Sequence, residues 1–162
     1  MIKISELKQA ASKRMEEHKK LLAVLKKKNS SDVDKFFQRL HNEAFEKIDC
    51  LQCANCCKTT SPIFYQRDIE RLAKHFRIRP SEFIEQYLHI DEDNDYVLNY
   101  APCPFLGDDN YCSVYDSRPT ACREYPHTDR KRVQQIFKLT LNNAAVCPAV
   151  FDILENIRTA KQ

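Results

Sequence analysis

The sequence predicts a small, α-rich α+β protein: an N-terminal helical hairpin, then a cysteine- and metal-organised domain of short helices with a small β-hairpin. Three observations point there. Two stripes of helical period run through the first 48 residues. Four thiols then crowd into Cys50-Leu-Gln-Cys53-Ala-Asn-Cys56-Cys57, a density that no apolar core requires and that a soft metal would occupy. Beyond them, apolar runs broken by proline and acidic residues leave room only for brief elements. The expected division is therefore 1–48 for the hairpin and 49–162 for the cysteine domain.

Ile4, Leu7, Ala11, Met15, His18, Leu22 and Leu25 recur at steps of three and four and predict the first helix, which closes on Lys26-Lys27-Lys28, cations suited to the negative end of its dipole. Ser31 followed by Asp34 resembles a capping box, and Val33, Phe36, Phe37, Leu40, Ala44 and Ile48 carry the second stripe. The two stripes are expected to pack on one another or to offer a docking face for a protein partner, with His18 and His41 in packing or surface roles. Pro62 to Tyr65 reads as extended. Ile69, Leu72, Ala73 and Phe76 predict a short helix, and Pro80, suited to a first helical position, opens another with Phe83, Ile84, Tyr87 and Leu88 on its apolar face.

The acidic run from Asp91 to Asp95 is read as a solvated turn: Tyr96 stands where a calcium loop needs glycine and Pro102 where it needs glutamate. Strands are expected at Tyr96–Tyr100 and Tyr111–Tyr115, with Cys103 and Cys112 on the arms of a hairpin turning through Gly107-Asp-Asp-Asn110. Arg118-Pro119 should lead into a brief helix bearing Cys122, Val133–Leu139 into another strand, and Pro148 into a last helix whose Val150, Phe151, Leu154 and Ile157 face inward.

Composition narrows the function. One glycine in 162 residues excludes the glycine-rich loops that cradle nucleotide phosphates. The net charge of +3 is uneven: the first 28 residues carry nine Lys or Arg against three Glu, and the remainder carries 17 basic against 20 acidic residues. Mixed Lys and Glu along a helix is the pattern of a solvated face, so nucleic acid is not the expected partner. No apolar run is long enough for a leader or a membrane span, so a cytoplasmic location is expected, where thiols stay reduced or hold metal.

Disulfides fit the even cysteine count poorly in that compartment, and adjacent Cys56 and Cys57 could pair only with strain. Metal is the better reading, with Cys50, Cys53, Cys56, Cys57, Cys103, Cys112, Cys122 and Cys147 as ligands. Cys50-x-x-Cys53-x-x-Cys56 follows ferredoxin spacing, and both Cys103-Pro104 and Cys147-Pro148 have the form of its distant ligand, which favours an iron–sulfur cluster. Eight thiols also divide into two zinc sites. In either case Lys58, Arg118 and Arg123 are candidates to offset the thiolate charge. Metal–thiolate bonds are expected to supply stability that the short elements lack.

The cluster, together with Cys103-Pro-Phe-Leu106, the run from Tyr111 to Pro126 and Cys147-Pro148, resembles the YkgJ-type cysteine-cluster family, described as zinc- or iron-chelating. The resemblance implies a metal role for all eight cysteines and marks Tyr115, Arg118, Pro119, Arg123 and Pro126 as signature residues around them. That family usually has glycine between the second and third cysteines; here Ala54-Asn55 stands there, with Asn55 expected to supply a left-handed turn. A flagellin lysine methylase is similar in its cysteine pattern. Three function classes follow: a metal-cluster protein with a redox or electron-transfer role, a zinc-stabilised interaction module, and a cluster-dependent modifying enzyme.

Overall fold

A computed structural model describes residues 2–160 of the chain. In chain order it contains helices α1 (Ile4–Leu25), α2 (Ser30–Phe45), α3 (Cys50–Cys53), α4 (Asn55–Thr59), α5 (Gln66–Phe76) and α6 (Pro80–Tyr87). Strands β1 (Leu88–Ile90) and β2 (Tyr96–Leu98) follow, then α7 (Thr120–Glu124), α8 (Phe137–Asn143) and α9 (Pro148–Thr159). This is an α-rich α+β fold, and it divides into two compact units. One comprises the described residues up to Asp49 with those from Pro126 onward; the other is Cys50–Tyr125.

In the first unit, α1 buries Leu7, Ala11, His18, Leu22 and Leu25, and α2 buries Val33, Phe37, Leu40 and Ala44, the stripes read from the sequence. Both stripes turn onto α9, which buries Val150, Phe151, Ile153, Leu154 and Ile157 against them. The C-terminal helices, grouped by sequence with the cysteine segment, thus cover the N-terminal ones. His18 is buried and meets Glu155 Oε1 at 2.8 Å, while His41 meets Thr128 Oγ1 at 2.8 Å. No single helix among the described residues is long and apolar enough to cross a membrane.

Two local expectations in this unit are corrected. The cap of α2 is Asn29, whose side-chain oxygen accepts from the N–H groups of Ser31 (3.0 Å) and Asp32 (3.3 Å), rather than a Ser31–Asp34 box. Asp34 instead accepts from the N–H groups of Arg132 (2.8 Å) and Val133 (3.0 Å), the former in a left-handed conformation. That bond starts a 3₁₀ turn at Val133–Ile136 running into α8, where a strand was expected. Val133, Phe137 and Thr140 are buried at helical spacing.

The second unit is built on an aromatic core. Phe83 is fully buried, with the rings of Tyr87, Phe76, Phe105 and Phe64 centred 5.0, 6.2, 6.2 and 6.3 Å away. Ile69, Leu72, Leu88, Leu98 and Val114 complete it. The hairpin lies elsewhere than expected: β1 pairs antiparallel with β2, Leu88 opposite Leu98, around the 91–95 turn, and Phe64 adds a single bridge to Tyr96. Asp91 Oδ1 closes that turn by accepting from Asp93 and Asp95 N–H. Cys103 and Cys112 flank an irregular loop with one bridge, Leu106 to Cys112, and Tyr115–Ser117 is a 3₁₀ turn, not a strand end. Pro102 and Pro104 on either side of Cys103 remove the donors a strand there would need.

Deleting a ring from the centre of this core should be far costlier than trimming its surface. Phe83→Ala should destabilise the second unit by about 3–5 kcal/mol, whereas Ile63→Ala, at 36% exposure, should cost less than about 1 kcal/mol. Urea unfolding followed by near-ultraviolet circular dichroism checks both.

Candidate metal centre

The cysteine-rich segment folds as two short helices broken by one residue. Ala54 sits between α3 and α4 at φ 47°, ψ 16°, so alanine, not Asn55, takes the left-handed position. Its own N–H donates to the Cys50 carbonyl (2.8 Å) and its carbonyl accepts from Lys58 N–H (3.1 Å), closing a turn on each side. Those bonds and the burial of the Ala54 methyl offset a conformation that costs an L-residue about 1–2 kcal/mol. The reversal lets Cys50, Cys53, Cys56 and Cys57 follow one another on two separate short helices.

One backbone bond and one side-chain bond bring the 103–110 stretch to this segment. Cys103 N–H donates to the Cys57 carbonyl at 2.8 Å, and the Asn110 side-chain amide donates to the Gln52 carbonyl at 3.1 Å. Cys103 and Cys112 also pack on the aromatic core, and α7 carries Cys122. All eight cysteines are in the thiol form: Cys50 is exposed, Cys147 is buried in the first unit just before α9, and the other six are partly buried.

The thiols differ in how readily they ionise. A hydrogen bond from the Cys56 thiol is the main reason that the Cys57 pKa falls to about 7, and the charges of Arg118 and Lys58 help against the opposing effect of burial. Burial pushes Cys103 up to about 11, and the charges of Cys57 and Cys112 add to it. Cys122 is pushed up to about 12, first by burial and then by Cys57, Cys103 and Cys112. Cys112 is raised by burial and by Cys57, against the pull of Arg118. Thiols from four separate stretches of chain therefore feel one another's charge: Cys57, Cys103, Cys112 and Cys122.

One guanidinium serves this group. Arg118 favours the thiolate at Cys57, Cys112 and Cys122, and its Cζ lies 3.5 Å from the centre of the Tyr115 ring, itself stacked on Tyr111. Its Nε is buried with no acceptor. Arg123 donates to the carbonyls of Arg118 (3.2 Å) and Asp116 (3.1 Å) and so holds backbone.

Two residues of this region were missed from the sequence. Asp68, fully buried, accepts from Tyr65 N–H (3.2 Å), Arg71 Nη2 (2.7 Å), Thr120 N–H (3.1 Å) and Thr120 Oγ1 (2.9 Å). Arg71 donates onward to the carbonyls of Ser117 (3.2 Å) and Arg118 (2.6 Å). The available signal was a carboxylate beside Ile69 and one turn from Leu72, on the stripe that α5 buries.

The donor set has the chemistry a soft cation prefers: four thiols at Cys57, Cys103, Cys112 and Cys122, a guanidinium that favours three of their thiolates, and a buried Nε that a thiolate sulfur would satisfy. Among the described residues, no three His, Cys, Asp or Glu side chains are drawn in tightly enough to hold a single ion. A model of the CxxCxxCC family, whose description is "Putative zinc- or iron-chelating domain", matches residues 49–148. The chain belongs to this family. No curated protein and no solved structure matches it. The CxxCxxCC match takes in all eight cysteines and the Arg118 turn, and its description supports a metal-binding cysteine cluster.

Thiolate is the reactive form, so ionisation predicts labelling. In reduced, metal-free protein, Cys57 alkylation should rise steeply as pH passes through about 7, while Cys122 stays largely unlabelled up to pH values well above that. Iodoacetamide pulses across a pH series, read by peptide mass spectrometry, check the order.

Proposed function

We propose that this protein holds an iron–sulfur cluster on its cysteines and has a redox or electron-transfer role. The observation that carries a thiolate metal centre is the family match spanning all eight cysteines, together with the 2.8 Å bond from Cys103 N–H to the Cys57 carbonyl that joins two of their segments. Ferredoxin-like spacing from Cys50 to Cys56 and the Cys-Pro pairs at Cys103 and Cys147 favour iron and sulfide over a bare ion. Cys50, Cys53, Cys56 and Cys147 are the remaining proposed ligands. A bound cluster would supply one-electron chemistry.

The chain's own groups have definable tasks in that reading. Partial burial of the thiols keeps water back, Arg118 offsets thiolate charge, and Lys58 adds a second cation near Cys57. Tyr115 holds the Arg118 guanidinium in place through its ring face. Reduced thiols call for a reducing compartment, so the proposed location is the cytoplasm. An electron-transfer partner would meet the N-terminal helices on their charged outer faces, because α9 covers their apolar stripes.

Zinc is the second reading, favoured by the same group of four: Cys57, Cys103, Cys112 and Cys122 together make a complete four-thiolate donor set. Protein purified without oxygen decides between them by iron, zinc and sulfide content. The cluster reading expects brown protein with iron and sulfide in similar amounts and a visible absorption that bleaches on reduction. Colourless protein with zinc alone would replace it with the zinc module. In either case Cys122→Ser should lower bound metal per chain, measured by elemental analysis, without loss of the helical circular-dichroism signal.

A further inference from the structure

Asp68 carries no thiol chemistry, yet among the described residues it is the one fully buried carboxylate. A helix cap would account for only part of its bonding. Oδ2 takes the Tyr65 N–H at the start of α5, as an acid at that position commonly does. Oδ1 is turned the other way, onto Arg71 and both donors of Thr120, which lies two residues before Cys122. The same Arg71 nitrogen that meets Asp68 also reaches the carbonyl of Arg118, and its Nε reaches that of Ser117. Arg123 closes on the Arg118 carbonyl as well. The turn that presents Arg118 and Cys122 is thus fastened to α5 by one carboxylate and one guanidinium, and Arg123 ties the turn to itself.

We propose that Asp68 and Arg71 are positioning residues for the thiol centre: a brace that sets Arg118 and Cys122 against Cys57, Cys103 and Cys112. The inference rests on the thiolate-centre reading above. Arginine suits the task because its planar fork spans two carbonyls and the carboxylate at once, which a lysine ammonium on a flexible stem does not. Burial alone would raise the Asp68 pKa, but the bonds from Arg71, Thr120 and Tyr65 outweigh it and hold the group ionised. Groups that orient metal ligands from outside typically change metal affinity by about 10- to 100-fold when altered.

Cobalt(II) is the probe, titrated into reduced, metal-free full-length protein, with sulfur-to-cobalt charge-transfer absorption as readout and circular dichroism of the metal-free form as the control. Arg71→Lys keeps a cation beside Asp68 but loses the fork. It should bind cobalt about 10- to 100-fold more weakly, with a weaker charge-transfer band per bound ion and unchanged metal-free helicity. Thr120→Val removes one of the four bonds to Asp68 and should weaken binding in the same direction by a smaller factor. Equal affinity and equal band intensity in wild type and Arg71→Lys overturn the brace. Should Arg71→Lys fail to fold, Thr120→Val decides, and a folded Thr120→Val with wild-type cobalt binding overturns it. If wild type itself takes neither cobalt nor iron, the thiolate-centre reading falls, and the brace with it.

Discussion

A carboxylate taken fully out of water stays ionised only where donors meet it, and Asp68 draws them both from nearby, at Tyr65 and Arg71, and from Thr120, 52 residues along the chain. Once α5 buries its Ile69 and Leu72 stripe, Asp68 is carried in with it, and Thr120 and Arg71 must close over it. That requirement draws the 117–120 turn onto α5 and fixes the approach of Arg118 and Cys122. Losing one partner would leave an unpaired buried charge, which is costlier than the loss of any single hydrogen bond.

The thiols follow a different rule. Cys103 and Cys112 pack on the aromatic core, and at both of them and at Cys122 burial and the charge of neighbouring thiols oppose ionisation. Cys57 is the exception, held near its midpoint by Cys56, Arg118 and Lys58. A group of this kind stores its charge as protons until a cation displaces them. Loading is therefore pH-dependent in a definite sense: acid keeps the thiols protonated and weakens binding, and rising pH favours it.

Much of the fold was legible in the sequence wherever a pattern repeated over several turns. The stripes of α1 and α2, the apolar runs of α5 and α6 and the proline that opens α9 each place a helix at the residues where it occurs. Short elements were not legible, because distant partners decide them. Val133–Leu139 reads as a strand until Asp34, 98 residues from Arg132 in sequence, takes the N–H groups that start a 3₁₀ turn. The hairpin moved because Leu88 to Ile90, read partly as the end of a helix face, pairs with Tyr96 to Leu98 across the acidic turn. The eight cysteines announce themselves by density and spacing, as does the Arg118 turn by its place in the family pattern. Asp68 does not: an acid near a helix start looks like a cap, and only its second oxygen shows otherwise.

The sequence led to the expectation that metal would supply what apolar burial lacked. The second unit has an apolar core around Phe83, against which the partly buried Cys103 and Cys112 pack, and a bonded hub at Asp68. The central claim is that this scaffold gathers the thiols and the metal arrives as a guest. Hydrogen exchange on reduced protein before and after metal removal tests it directly. The account predicts that amides of α5, α6, β1 and β2 stay protected without metal, while those of 50–59 and 103–122 gain protection only on loading. Loss of protection throughout 50–125 once the metal is gone would contradict it and make the metal the organiser of the fold.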